Sequence, residues 1–399
     1  MQTSAAPSAA HLRNTKLTFG LIYFFCMLAK AIFGPFITVF LSEKGLSAEL
    51  IGMVTGINSI VIILTQPLWG VITDRVGSTG KTLALSMAGQ ALLALSLLLA
   101  NNFLFIAAAF SCYTMFTTAE GPLLDVWCLK SLKEAGDEKA TGQLKMWGCV
   151  GYALCSVGSG LFINRFSTSA SIPIFAGVLG LLVIAMLLIS RGEKSRGAVS
   201  FKEMQLGRIL HDKVFIAFLV YIFFMQITHR GSYTFYSLLI KQLGGSTSIV
   251  GYASALMFVS EAVVMGVLKK MLKRTRALYL VMISSFFFAA WFLFISISTS
   301  PYHVMLSCLM DGPSFALFTM GTLYYLHEIA PDEIRTTYQT VAYSVYYGLS
   351  GIAGNVICGW MIDNLGYRVM YHCGIVLTLA STLVFFLFTR RTQRQAPCS

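Results

Sequence analysis

Charged side chains are scarce in this chain of 399 residues, since Asp, Glu, Lys and Arg together make up only 12% of it. Soluble proteins carry about 25% of these residues. Hydrophobic residues make up 56%, and the mean hydropathy is +0.72. So few charges cannot cover the water-facing surface of the two or three soluble domains that this length could hold. The composition therefore indicates a polytopic membrane protein.

Motifs for metal binding, redox chemistry and nucleotide hydrolysis are also missing. The nine cysteines form no CxxC motif and no cluster with histidine, and six of them lie in apolar runs, so we expect buried structural thiols and no metal or other cofactor. No GxxxxGK[ST] loop is present, which excludes an ATP-driven motor. The intramembrane aspartates form no paired active site, so we expect no enzyme. The first apolar run is a full span, not the short core of a signal peptide.

Apolar runs of about 20 residues, enough to cross a bilayer, recur along the chain. They are continuously apolar, not alternating, which excludes a β-barrel and predicts helices. The sequence predicts twelve spans, at 16–41, 48–73, 82–100, 103–127, 143–164, 170–190, 214–240, 247–268, 277–298, 302–327, 337–362 and 368–389.

The basic residues predict the orientation of these spans. With the N-terminus in the cytoplasm, most Lys and Arg residues fall in cytoplasmic segments, and the opposite side holds only Lys44, Arg165, Lys241 and Arg368. This bias predicts both termini in the cytoplasm. It also explains the net charge of +12 without a nucleic-acid partner. We expect a multi-pass protein of the plasma (inner) membrane whose partners are the lipid bilayer, a small-molecule substrate and protons, and which is a monomer.

The longest polar stretch, 191–213, divides the chain into two halves of six spans each. We therefore predict an N-terminal bundle over 1–190, a cytoplasmic linker over 191–213 and a C-terminal bundle over 214–399. The Asp-Glu pairs at 137–138 and 332–333 suggest weak internal similarity between the halves. Two duplicated six-helix halves are typical of secondary transporters.

A glycine-rich polar loop joins predicted spans two and three on the cytoplasmic side. It contains Gly70, Asp74, Arg75, Gly77 and Lys81. Glycine permits a tight turn, and Asp74 can cap the next helix or pair with a cation. The loop resembles the signature loop of the major facilitator superfamily. The resemblance implies the fold of that superfamily, all-α with twelve helices in two pseudo-symmetric bundles, and a role for this loop in gating conformational change.

Two further segments resemble the oligosaccharide:proton symporter group, which includes the lactose permease. They are Gly-Pro-Leu-Leu-Asp at 121–125 and Lys-Met-Trp-Gly-Cys-Val-Gly-Tyr at 145–152. In that group a carboxylate on helix four and an arginine on helix five hold the sugar, and an aromatic ring stacks on it. The matching positions here are Asp125, Lys145 and Tyr152. The resemblance implies that they bind substrate, and the changed residue types imply a related but different ligand.

Charged or titratable side chains inside spans are costly and indicate functional sites. The set comprises Lys30, Glu120, Asp125, Lys145, His229, Arg230, Glu261 and Asp311. We expect these residues to line a polar cavity, with Lys30, Glu120 and Glu261 joining the substrate site. Interfacial snorkelling is the alternative, chiefly for Lys145 and Glu120.

The second half departs from the lactose permease group. The helix-nine arginine is missing, Asp311 stands at the helix-ten histidine position, and Glu261 matches the helix-eight glutamate. A buried carboxyl group binds a proton more readily, and a nearby cation opposes this. We therefore predict Glu261, or next Asp311, as the proton carrier, with Arg230 or His229 as its switching partner.

Together these features predict a proton-coupled symporter that imports a small neutral solute, a sugar or glycoside, by alternating access. A nucleoside or aromatic-acid symporter is an alternative, because such transporters share the architecture. A drug/proton antiporter is another. Antiporters of this superfamily tend to carry a Gly-Pro-rich helix five, and no proline occurs from Met146 to Phe166, which weighs against it.

Overall fold

The computed structural model describes residues 9–137, 140–190, 211–272, 274–331 and 334–395. Every regular element in these ranges is a helix. Twelve helical segments are long and apolar enough to cross a membrane, which confirms the predicted all-α membrane fold. Helices satisfy their own backbone hydrogen bonds, as the interior of a bilayer requires.

The first six membrane segments are built from eight helices. Two of the predicted spans are interrupted. A 3₁₀ turn at Gly34–Phe36 separates the first two helices within span one, and residues 118–119 separate the fifth from the sixth within span four. The helices are α1 (Ala9–Phe33), α2 (Ile37–Glu43), α3 (Ala48–Val76), α4 (Thr79–Leu99), α5 (Phe103–Thr117), α6 (Glu120–Glu134), α7 (Thr141–Arg165) and α8 (Thr168–Ile189).

The second six segments are built from seven helices. The eleventh span was predicted as one continuous helix, but a π-helical stretch at Ser344–Leu349 divides it. The helices are α9 (Lys213–Gln242), α10 (Thr247–Leu272), α11 (Ala277–Ser296), α12 (Pro301–Ile329), α13 (Arg335–Tyr343), α14 (Ser350–Leu365) and α15 (Tyr367–Gln395).

Side-chain caps fix several helix starts close to the predicted boundaries. Asp212 accepts hydrogen bonds from the backbone N–H groups of Val214 and Phe215, both at 3.0 Å, where α9 begins. Ser167 caps α8 in the same way. At the glycine-rich loop the cap of α4 is Ser78, and not Asp74, for which the sequence left capping and pairing with a cation as alternatives. Short polar side chains satisfy otherwise unpaired N–H groups at these ends.

By their internal packing the residues form two compact units. The first comprises Met1–Ile37 and Leu64–Ala198, and the second comprises Thr38–Ile63 and Val199–Ser399. The segment 38–63, which the sequence placed in the N-terminal bundle, packs with the C-terminal helices in this division. Most of the predicted linker, residues 191–210, lies outside the described residues, so the three-part domain boundaries stay a prediction.

Close helix approach positions the charged residues of the first unit. α1 packs along α7, and a Cβ on Gly148 would lie 3.4 Å from the carbonyl oxygen of Tyr23. A Cβ on Gly151 would overlap the carbonyl oxygen of Phe24. Small residues at such crossings allow helix backbones to approach closely. The packing brings the start of α7, with Lys145, beside the middle of α1.

Close approach of helices also positions the charged residues within the second unit. α12 packs along α10 and α11, and α9 packs against α14 and α15. A Cβ on Gly312 would lie 2.5 Å from the backbone nitrogen of Glu261, closer than real Cβ contacts allow. Glycine is therefore required where α12 crosses α10, and this crossing brings the neighbouring Asp311 to the helix that carries Glu261.

Cysteine burial is more varied than the sequence suggested. Cys26, Cys128, Cys308 and Cys358 are buried, but Cys112 is exposed on α5. All eight cysteines within the described residues are free thiols. The expectation of buried thiols is wrong for Cys112 and Cys373, which are both exposed, and Cys149 and Cys155 are only partly buried.

Candidate functional site

The first unit contains a three-residue polar cluster formed by α1, α6 and α7. The Lys145 ammonium lies 2.7 Å from Asp125 Oδ2, and the Tyr23 hydroxyl donates a hydrogen bond of 2.6 Å to Asp125 Oδ1. The side chains of Lys145 and Asp125 remain 38% and 43% exposed. The structure thus brings together the predicted acid and base and leaves both accessible to a ligand.

Tyr23 belongs to this cluster, although sequence reasoning did not select it. It lies in an aromatic run of α1, between Ile22 and Phe24, and is only 3% exposed. Nothing in such a run distinguishes a tyrosine whose hydroxyl makes a polar contact from one that only packs. The hydrogen bond from its hydroxyl to Asp125 becomes visible only when α1 is placed against α6.

A second ion pair joins Lys30 to Glu120 in the same unit. Lys30 Nζ lies 3.3 Å from Glu120 Oε1, and the Glu120 side chain is only 2% exposed. Lys30 lies in the last turn of α1 and Glu120 in the first turn of α6. Each charge therefore complements the dipole of its own helix end. The burial of Glu120 contradicts the alternative in which it snorkels to the membrane edge.

Tyr152 is buried at 6% exposure, two helical turns beyond Lys145 on α7. Its hydroxyl oxygen would lie 3.6 Å from a Cβ on Gly34, at the break between α1 and α2. The ring therefore approaches the interrupted part of span one. Its stacking role towards a substrate remains a prediction.

In the second unit α9 and α12 bring together His229 and Asp311, two of the predicted coupling residues. His229 Nε2 lies 3.0 Å from Asp311 Oδ1, and His229 Nδ1 lies 2.9 Å from Oε1 of Gln226. Their exposures are 1% for His229, 4% for Asp311 and 0% for Gln226. Aromatic rings enclose the imidazole, with ring centroids 4.5 Å away for Phe288 and 5.6 Å for Phe315. Such a dry environment strengthens polar interactions within it.

Glu261 lies beside this pair on α10. The charge of Asp311 acts on it, and among the described residues no ion pair involves Glu261. Within the described part of the chain, Glu261 is therefore a carboxyl group without a cationic partner next to a second carboxyl group, and such neighbours are candidate proton-binding groups.

Arg230 is not placed with either carboxylate. Its guanidinium lies over the ring of Tyr347, 5.1 Å from the centroid, next to the π-helical stretch. Of the two switching partners predicted from the sequence, the structure places His229 against Asp311 and leaves Arg230 in a cation–π contact. This division could not be predicted from the sequence, because the two residues are adjacent.

The predicted gating loop lies where α3 ends and α4 begins. Gly70, Asp74 and Arg75 are on the last turns of α3, and Gly77 has φ = +69°, which favours glycine. Asp74, Arg75 and Lys81 are all exposed. The gating role of the loop stays a prediction.

Comparison with known proteins gives relatives along nearly the whole chain. It is 24% identical to the maltose permease of Geobacillus stearothermophilus over 378 residues, which covers 94% of this chain and 95% of that protein. It is 22% identical to the raffinose permease of Escherichia coli, covering 94% and 93%. A crystal structure of the nucleoside transporter NupG superposes with a TM-score of 0.80 at 16% identity, covering 94% of this chain and 98% of that one.

The family model described as "MFS_1 like family" matches residues 16–373. This match covers the first eleven membrane segments, apart from the first turn of segment one, and the beginning of the twelfth. Together with the helical architecture it confirms the resemblance seen in the loop after α3 and in α6 and α7. The chain therefore belongs to the MFS_1 like family and is a multi-pass membrane transporter of the major facilitator superfamily.

Proposed function

We propose that this transporter is a proton-coupled symporter of a small neutral, hydroxyl-rich solute, a sugar or glycoside. The observation that carries the proposal is the accessible cluster of Tyr23, Asp125 and Lys145. An ionised carboxylate held between a hydroxyl and an ammonium presents its remaining lone pairs as acceptors for substrate hydroxyl groups. Lys145 supplies donors to the substrate oxygens.

Charge balance favours a neutral substrate over an aromatic acid. In the described part of the first unit, the acids and bases deep in the spans pair one to one, Lys30 with Glu120 and Lys145 with Asp125. To bind an ionised substrate, the protein would need a side chain of opposite charge that is not already paired, because a charge buried without a counter-charge is costly. The names of the maltose and raffinose permeases support a sugar. A nucleoside, whose ribose also offers hydroxyl groups, is the second candidate.

For the proton, we propose the group formed by His229, Asp311 and Glu261. Asp311 has a titratable partner at hydrogen-bond distance, which supports the pair His229–Asp311 as the proton-binding site, with Glu261 acting on it electrostatically. A coupling site must bind the proton with different affinity in the two facing states. Alternating access between the two halves would supply that difference. We further propose that both termini are cytoplasmic.

Uptake into vesicles that contain the purified full chain tests this function. Radiolabelled maltose, raffinose, uridine and phenylpropionate are each offered with an inward proton gradient and again after a protonophore has collapsed the gradient. We expect accumulation of a sugar that disappears with the gradient. Accumulation of phenylpropionate alone would refute the neutral-solute proposal. Accumulation that follows a sodium gradient and ignores the protonophore would refute proton coupling.

A further inference from the structure

The imidazole of His229 is held by an acceptor on each side. Nδ1 faces Oε1 of Gln226 at 2.9 Å, and Nε2 faces Oδ1 of Asp311 at 3.0 Å. An amide oxygen can only accept, so the contact at Nδ1 requires a proton there. A further proton must then lie between Nε2 and the carboxylate, on one or the other. The observed contacts therefore fit a state in which His229 and Asp311 share two protons. We call this the loaded state, and the state with one proton the unloaded state.

The other end of the Gln226 amide is unsatisfied. Its Nε2 is buried and has no hydrogen-bond partner among the described residues. When the pair loses one proton, the remaining proton of the imidazole stays on Nε2, facing the ionised Asp311, and Nδ1 becomes a bare acceptor. A half-turn of the amide then aims its N–H at Nδ1. The Gln226 amide thus has one orientation when the pair holds two protons and the opposite orientation when the pair holds one, and it can hydrogen-bond Nδ1 in both cases.

Other titratable groups reach Asp311 but do not bond the ring. They are Glu261 on α10, Cys308 on α12 and Tyr236 on α9, all close enough to interact electrostatically with Asp311. Further titratable or charged groups lie along α9. Cys358 of α14 lies beside Gly231, Tyr371 of α15 lies near Ser232, and Arg230 of α9 itself lies over Tyr347. In the structure as described, the hydrogen bonds to the imidazole come from Gln226 and Asp311.

We propose that Gln226 is a positioning residue of the proton site, whose amide sets how tightly His229 and Asp311 hold their second proton. It accepts from Nδ1 in the loaded state and donates to Nδ1 in the unloaded state. Gln226 carries no proton itself, because an amide does not titrate. The inference rests on the proposed function only in taking this pair as the proton site. It adds a residue that neither the motifs nor the charge pattern of the sequence indicated.

Direct titration of the imidazole tests the inference without any transport assay. The full chain is labelled with ¹⁵N-histidine and placed in lipid nanodiscs, and the His229 signals are identified by their loss in His229→Gln. Gln226→Leu removes the acceptor of the loaded state and the donor of the unloaded state. The bond to the protonated, positively charged ring is the stronger of the two, so we expect the His229 titration midpoint to fall by about one pH unit. In Gln226→Glu, whose carboxylate accepts from Nδ1 and adds a negative charge when it is ionised, we expect it to rise by about one unit or more.

A matched control separates this effect from loss of packing. Tyr221→Phe removes another buried hydrogen bond of α9, 2.7 Å to Ser285, without touching the pair. Its His229 midpoint should equal that of the unchanged protein. Gln226→Met replaces Gln226→Leu if the leucine variant does not fold. Opposite shifts in the acceptor-free variant and the glutamate variant are the signature of the proposed role, since a packing defect has no reason to reverse sign.

Three results would overturn the inference: shifts in the same direction in both variants, no measurable shift in either, or no titration of His229 between about pH 4 and 10. The proposed coupling role of the pair His229–Asp311 fails on a different result, normal proton-driven accumulation in Asp311→Asn. If that occurs while the His229 midpoints shift as expected, the amide positions the imidazole but the pair does not couple transport. The two failures are therefore distinguishable.

Discussion

Replacing Asp125 with asparagine tests the substrate site most directly. The carboxylate accepts from Tyr23 at 2.6 Å and from Lys145 at 2.7 Å, so both donors are aimed at it. Asparagine keeps one acceptor oxygen but turns an NH₂ group towards one of these donors. The substrate then loses a charged acceptor, and the Lys145 ammonium loses its counter-charge.

The expected size of the effect follows from the hydrogen bond that is lost. A hydrogen bond to a charged group contributes about 1.5–3 kcal/mol. Because about 1.4 kcal/mol corresponds to a factor of ten, the affinity should fall roughly 10- to 150-fold. The side chain of Asp125 is 43% exposed, so solvent screening favours the lower part of this range.

Isothermal titration calorimetry of the purified protein with its transported substrate measures this loss. Asp137→Asn is the matched control, since Asp137 forms a similarly exposed lysine pair with Lys16, at 2.5 Å, in the same unit. We expect that variant to bind normally. Unchanged affinity in Asp125→Asn, together with an unchanged melting temperature, would show that the carboxylate does not contact the substrate.

Three further predictions concern gating, coupling and stability. Asp74→Ala, in the exposed loop after α3, should slow transport several-fold while substrate affinity stays nearly intact; a large loss of affinity at unchanged turnover would contradict a gating role. Glu261→Gln and Asp311→Asn should each impair accumulation against a gradient but spare substrate exchange, because exchange needs no net proton movement, and normal accumulation by both variants would exclude them as carriers. Asp212→Ala removes the cap of α9 and the acceptor for the Tyr338 hydroxyl at 2.7 Å. Unfolding in denaturant should therefore show a loss of about 1–2 kcal/mol in the free energy of unfolding. A change below about 0.3 kcal/mol would show that water replaces both contacts.

Much of the fold could be predicted from the sequence because bilayer thickness and backbone hydrogen bonding constrain it strongly. A continuous apolar run of sufficient length must form a helix in lipid, so the number of spans needed no tertiary information. Local chemistry fixed the ends as well, as at Asp212, whose short acidic side chain caps α9 so that the helix begins one residue before the predicted span. The breaks at Gly34–Phe36 and Ser344–Leu349 were not predicted, since hydropathy is continuous across them.

The charged residues themselves could also be selected from the sequence, because ionisable groups inside apolar spans are rare and costly. Their partners depended on the tertiary structure. The apolar spans show little amphipathic pattern, so the sequence does not fix which face of α1 meets α6, or of α9 meets α12. Only the packed helices placed Tyr23 on Asp125, joined His229 to Asp311 and turned the adjacent Arg230 towards Tyr347.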